Sequence, residues 1–357
     1  MSRRVFRLAR RSLPLLAALV GCAKGESAPA AVATAVREVP ERWSSVAWPD
    51  DDLDSPAIWW DAIAGRAEVL VTAKQGDRLH RLALETGEQL GIVGGPGSVA
   101  GAFDRPNGIA VLDSLLVVVE RDNRRVQVFA LPAFRPLVSF GADVLRRPYG
   151  VWMSRVDPGS IRLFVTDSYD AGDEENRDTL AMGRRVVVFD LQHDGAGWGA
   201  RVVRVFGDTV GRGVLHVVES LWGDPARGVV LIADEDTARG MNAKVYGLDG
   251  RFTGRTIGDG IFRHQVEGIA LDARADGTGL WVVSDQSKSR TTFHVFDRVS
   301  GAHRGSFRGR RTANTDGIWL ETAPRPGFPR GVLLAVDDDA AVAAFDWGMV
   351  LQALKLP

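Results

Sequence analysis

Val266-Glu267-Gly268-Ile269 and Thr315-Asp316-Gly317-Ile318 are one four-residue word written twice: an acid, a small residue and an aliphatic, each followed by strand-forming residues. Four relatives precede them, Ser55-Pro56-Ala57-Ile58, Pro106-Asn107-Gly108-Ile109, Pro148-Tyr149-Gly150-Val151 and Val218-Glu219-Ser220-Leu221. Their small residues (57, 108, 150, 220, 268 and 317) recur at intervals of about 51, 42, 70, 48 and 49, close to the roughly 40 to 50 residues of a propeller blade. The long interval marks an insertion at 169–183, where Asp170, Asp173, Glu174, Glu175 and Asp178 read as a solvated loop.

Each word leads into a second strand of β-branched and aliphatic residues, at 68–72, 115–119, 163–166, 229–233, 280–284 and 332–336. A third follows at 78–84, 125–130, 185–191, 244–248, 292–297 and 341–346, and a fourth shows at 137–141, 202–207 and 305–308. The expectation is an all-β chain, a six-bladed β-propeller with four-stranded antiparallel blades over residues 36–357. The sixth copy runs out of chain before its fourth strand. Because an open sheet edge invites aggregation, 36–45 is expected to supply that outer strand and close the ring. Forty glycines among 357 residues agree with short strands joined by tight turns.

The first 22 residues stand apart. Arg3, Arg4, Arg7, Arg10 and Arg11 precede a short apolar run at 13–20, which reads as an export signal too short to span a bilayer. The run closes on Leu19-Val20-Gly21-Cys22, similar to a bacterial lipobox, so Cys22 is expected to carry the lipid and 23–35 to be a flexible tether. The protein is then exported and anchored in the cell envelope, at the outer membrane or in the periplasm, as a monomer touching membrane only through its lipid. Cys22 is the single cysteine, which excludes internal disulfides, cysteine-rich zinc sites and a cysteine nucleophile together. A formal net charge of -1 supplies no overall basic field for nucleic acid.

In an antiparallel pair, the start of one strand and the end of the next share an end. Here that end opens on one face of the propeller channel. Pro56, Asn107, Tyr149, Glu219, Glu267 and Asp316 begin the first strands; Lys74, Glu120-Arg121, Asp167-Ser168, Asp234-Glu235-Asp236, Asp285 and Asp337-Asp338-Asp339 follow the second. Early blades thus give cations and late blades carboxylates. Converging carboxylates repel one another unless a hard cation such as Ca²⁺ joins them, while Lys74 and Arg121 suit a phosphate or carboxylate. The competing reading is that acids beside turns accept backbone hydrogen bonds. The six histidines are scattered, which disfavours zinc hydrolysis, and Arg263-His264 lacks the further arginine of a histidine phosphatase.

With these words stand Asp54-Ser55-Pro56-Ala57-Ile58-Trp59, Thr72-Ala73-Lys74 and Ala233-Asp234-Glu235-Asp236, and in this order the set resembles the β-propeller phytases. The resemblance implies calcium-dependent hydrolysis of the phosphomonoesters of phytate, or a related small anionic phosphoester, by metal-bound water. It implies calcium ligands at Asp54, Glu219, Glu235, Glu267 and Asp316, to which Asp337 is added from the strand ends. Glu219, Glu267 and Asp316 are the implied catalytic acids, and Lys74, Arg121, Tyr149 and Arg184 the implied phosphate-binding residues. Gln265, Arg310 and Arg311 stand where that family has acids. The second copy, Phe103-Asp104-Arg105-Pro106-Asn107-Gly108-Ile109, is also similar to NHL-type repeats, which implies a non-catalytic binding module on the cell surface. A third reading is a calcium-dependent esterase or lactonase propeller with a central metal and a histidine base, for which His264 is the candidate beside a word.

Overall fold

The computed structural model describes residues 35–169 and 181–357. The export signal, Cys22, the tether up to residue 34 and the five acids of the insertion lie outside them. Two short strands, β1 (Arg37–Glu38) and β2 (Trp43–Ser44), lead into the repeats. Blade one is β3 (Leu53–Asp61), β4 (Arg66–Ala73), β5 (Arg78–Ala83) and β6 (Gln89–Val93). Blade two is β7 (Pro106–Leu112), β8 (Leu115–Glu120), β9 (Arg125–Ala130) and β10 (Arg135–Phe140). Blade three is β11 (Pro148–Asp157), β12 (Ser160–Asp167), β13 (Val186–His193) and β14 (Trp198–Phe206). Blade four is β15 (Val218–Asp224), β16 (Val229–Asp234), β17 (Asn242–Gly247) and β18 (Phe252–Ile257). Blade five is β19 (Gln265–Ala273), β20 (Gly279–Gln286), β21 (Thr292–Asp297) and β22 (His303–Arg308). Blade six is β23 (Ile318–Glu321), β24 (Val332–Asp337) and β25 (Ala341–Asp346), followed by the helix α1 (Trp347–Leu354).

Six four-stranded antiparallel blades form the ring, with the first strand of each against the channel and the first strands of neighbouring blades in contact. The core is six apolar layers, one between each pair of adjacent blades. Strand alternation explains how one blade serves two layers. In β8, Leu116 and Val118 face blade one, whereas Leu115, Val117 and Val119 face blade three, so the strand is buried along its whole length.

Closure follows the expectation for 36–45 and divides it. Trp43 and Ser44 pair antiparallel with Ala344 and Ala343, making β2 the outer strand of blade six. Arg37 and Glu38 pair in parallel with Phe307 and Arg308, making β1 a fifth strand on blade five. Between them Glu41 accepts hydrogen bonds from the amides of Arg310, Arg311 and Thr312 and from the Thr312 hydroxyl. Arg310 reaches back to Glu38 at 3.5 Å, so it serves the closure rather than the channel mouth.

Candidate metal centre and basic groove

The recurring word is a β-bulge. In blades two to five, pairing between the first and second strands breaks at the word: Pro106 to Ile109, Pro148 to Val151, Val218 to Leu221 and Val266 to Ile269. A bulge re-aims the extra residue, here Asn107, Tyr149, Glu219 or Glu267, at the channel. The residue after it must be small because neighbouring first strands nearly touch. A Cβ on Gly108 would stand 2.5 Å from the Tyr149 carbonyl oxygen, and one on Gly317 would stand 2.5 Å from that of Asp54. Thr72 and Thr166 fasten the seam by donating to the carbonyls of Asn107 (2.6 Å) and Glu219 (2.7 Å).

Blade one has the same bulge two residues earlier than the sequence suggests. Its register breaks between Leu53 and Pro56, so Leu53-Asp54-Ser55-Pro56 is the true word and Asp54 takes the channel position assigned to Pro56. Pro56 and the small Ala57 imitate the word two residues downstream of it.

The acids that end the second strands have another task. Asp337, expected among the calcium ligands, accepts from the Ala313 amide at 3.0 Å. Asp167 accepts from Arg147 (2.6 Å), Asp234 from Val217 (3.1 Å), Asp285 from His264 (2.8 Å) and Glu120 from Asp104 (3.1 Å). In five blades this acid ties down the loop that enters the first strand of its own blade. Asp337, expected as a ligand, serves in this structure as such a latch, and this set accepts backbone hydrogen bonds beside turns.

Glu219, Glu235 and Glu267 converge. Their ligand oxygens all lie within 4.8 Å of one another, which is the spacing of oxygens across an ion with bonds of about 2.4 Å. Burial, and then the neighbouring carboxylates, pushes Glu219 and Glu267 well above the usual carboxylate range. Burial also raises Glu235, against hydrogen bonds from Glu267 and Gln265. Gln265 donates to Glu235 at 3.0 Å, orienting a ligand where an acid would have added repulsion. A hard divalent cation fits this trio by donor type, spacing and uncompensated charge.

Asp54 and Asp316, expected in the same set, are held differently. The Lys74 ammonium lies 2.6 Å from Asp316, 3.2 Å from Asp52 and 3.4 Å from Asp54, and the lysine is only 7% exposed. Lys74, expected as a phosphate ligand, stands in this structure as the counter-ion of an acid cluster. Burial, opposed by Lys74 and reinforced by Asp54 and Asp339, raises Asp316 to about 7. The sequence reading missed Asp52, and it named Asp339 only within the Asp337 run. Tyr149 faces the centre, where burial and the carboxylates of Asp54, Glu219, Asp316 and Glu267 raise its phenol well above its ordinary value and keep it a donor.

Of the other expected phosphate ligands, Arg121 lies within electrostatic reach of Tyr149 and Arg184 stands apart. Arg121 forks onto its neighbour Asp122 at 2.7 and 3.1 Å, and Arg184 stands near Tyr169 at the base of the insertion. A groove of about 740 Å³ runs instead between blades four and five, from Glu235 and Gln265 past Arg239, Arg263, His264 and Lys288. Arg263 and Lys288 are exposed and form no ion pair among the described residues, so this is the cationic flank of the trio. The sequence reading weighs Arg263-His264 as a phosphatase signature and His264 as an esterase base, and Lys288 in neither. No local pattern joins that pair to Lys288. Below the acids the channel narrows to a cavity of about 40 Å³, where Trp222 and Trp319 meet edge to face at 5.1 Å, so access is from the acid face.

No family model matches the sequence, and no curated protein matches it. Among solved structures the chain is similar to the calcium-binding protein regucalcin from Agrobacterium tumefaciens, with 13% identity and a TM-score of 0.54 over 87% of this chain and 95% of that one. It also aligns with a chain of a nidogen–laminin complex at 16% identity and a TM-score of 0.48, covering 73% and 82%. At such identities the regucalcin likeness is one of fold.

Proposed function

We propose that this chain is a calcium-dependent phosphomonoester hydrolase acting on phytate or a related small polyanionic phosphoester. The observation that supports this reading is a three-carboxylate cluster opening beside a groove with two cations, Arg263 and Lys288, that form no ion pair among the described residues. Glu219, Glu235 and Glu267 would hold the calcium, with Gln265 fixing the rotamer of Glu235. Bound there, calcium supplies an activated water and neutralises phosphoryl charge. Arg263 suits a phosphate as a fork and Lys288 as a point charge, so both orient the substrate without entering the chemistry. Tyr149, kept protonated by its surroundings, donates toward the same space. Export and a lipid on Cys22 would present this face outside the cytoplasm, on a monomer.

One observation favours the alternative of a non-catalytic, NHL-like binding propeller: Lys74 already satisfies Asp52, Asp54 and Asp316, leaving one metal position. Phosphate release from phytate and from p-nitrophenyl phosphate, with calcium and with chelator, separates the two. The hydrolase reading expects calcium-dependent release that Glu267→Gln lowers on the order of 100-fold or more. Folded protein without turnover at any calcium concentration leaves the binding module.

A further inference from the structure

The acid ring has two halves of unlike chemistry. On blades four and five, Glu219, Glu235 and Glu267 face one another with Gln265, and among the described residues no cation hydrogen-bonds to the three carboxylates. Where blades six and one meet, Asp52, Asp54 and Asp316 surround the Lys74 ammonium at 2.6 to 3.4 Å. Asp316 also accepts from Gln286, and Asp54 from Ser55 (2.7 Å) and Asn107 (3.2 Å).

We infer that Lys74 is a built-in cation standing where a second divalent ion would otherwise bind, so that the protein takes up a single calcium ion. The inference rests on the trio as the metal position. The ammonium supplies one of the positive charges that a divalent ion would bring to these three carboxylates. The geometry also resembles a coordination shell more than a surface ion pair. Asp316 stands far in sequence from Asp52, Asp54 and Lys74, and the lysine is buried. The fully buried Asn107 carboxamide donates to Asp54 while its Oδ1 has no hydrogen-bond partner. That leftover oxygen is a neutral ligand atom of the kind calcium uses, and the Lys74 ammonium leaves it without a hydrogen-bond partner. A lysine differs from an ion in being permanent: chelator cannot remove it, so this half of the channel keeps its shape without metal.

Calcium titration calorimetry on the whole purified protein tests this, using calcium alone as the probe. Wild type should bind one calcium, Glu267→Gln none, and Lys74→Met two. Asp316→Asn should retain the one site with an affinity within about threefold of wild type, as expected of a group outside the ligand set. Two or more ions on wild type, or no gain in folded Lys74→Met, overturns the inference. If Lys74→Met does not fold even in calcium, Asp316→Asn decides, since loss of its site would make Asp316 a ligand. A wild type that binds no calcium while Lys74→Met binds one upholds the role of Lys74 and removes the hydrolase reading instead.

Discussion

At position 150 the side chain is a hydrogen atom because a Cβ there would overlap the carbonyl oxygen of Glu219 on the next blade. Gly150→Ala should therefore cost about 1 to 3 kcal/mol, the usual penalty of overpacking, read from the denaturant midpoint. It should also weaken calcium binding, since relief of the clash moves the Glu219 backbone. An unchanged midpoint would mean that the seam between blades three and four has slack. The requirement for a small residue was legible in sequence because it recurs on a period. The channel residue before it was legible too, except in blade one, where Pro56 and Ala57 mimic the word two residues downstream of Asp54. Side-chain fate was less legible. Lys74 looks like a phosphate ligand until Asp52, Asp54 and Asp316, from elsewhere in the chain, fold around it. Asp337 and Glu235 both follow second strands, yet one accepts from a loop amide and the other faces the centre.

Among the elements, the segment 36–45 had a sequence signal only by elimination, since blade six lacks an outer strand. That argument finds β2 but not β1, because a fifth strand on blade five satisfies no visible deficit. Nor does it find Glu41, whose partners are backbone amides without sequence identity. Burial works against ionisation of Glu41, but the amides of Arg311 and Thr312 and the Thr312 hydroxyl outweigh it and hold the carboxyl down at about 2. A carboxyl depressed from 4.5 to about 2 stabilises the folded state fully above 4.5 and ceases to do so as pH falls toward 2. After allowance for solvent screening this is worth on the order of 2 kcal/mol. Glu41→Ala should lower stability by about that amount at neutral pH, with the gap to wild type closing as the pH approaches 2. A gap that stays constant across this range would mean that Glu41 acts by packing and not by charge.

For the molecule as a whole, the blade period gave the architecture because each unit repeats the same burial problem, and six apolar layers solve it. The channel mouth was legible as a face and not as a site. Strand ends share a face by topology, but which carboxylates meet depends on bulges and rotamers. The groove depends on loops with no common spacing, so Arg263 and Lys288 could be joined only in three dimensions. The resulting division is a three-carboxylate cluster on blades four and five that could hold a metal ion, a lysine-filled cluster between blades six and one, and a tryptophan-narrowed channel beneath. Anomalous diffraction from crystals grown in calcium tests that division most directly. One peak should appear bounded by Glu219, Glu235 and Glu267, with carboxylate oxygens about 2.3 to 2.6 Å away. A strongest peak between Asp54 and Asp316, or no peak on the channel face, would contradict it.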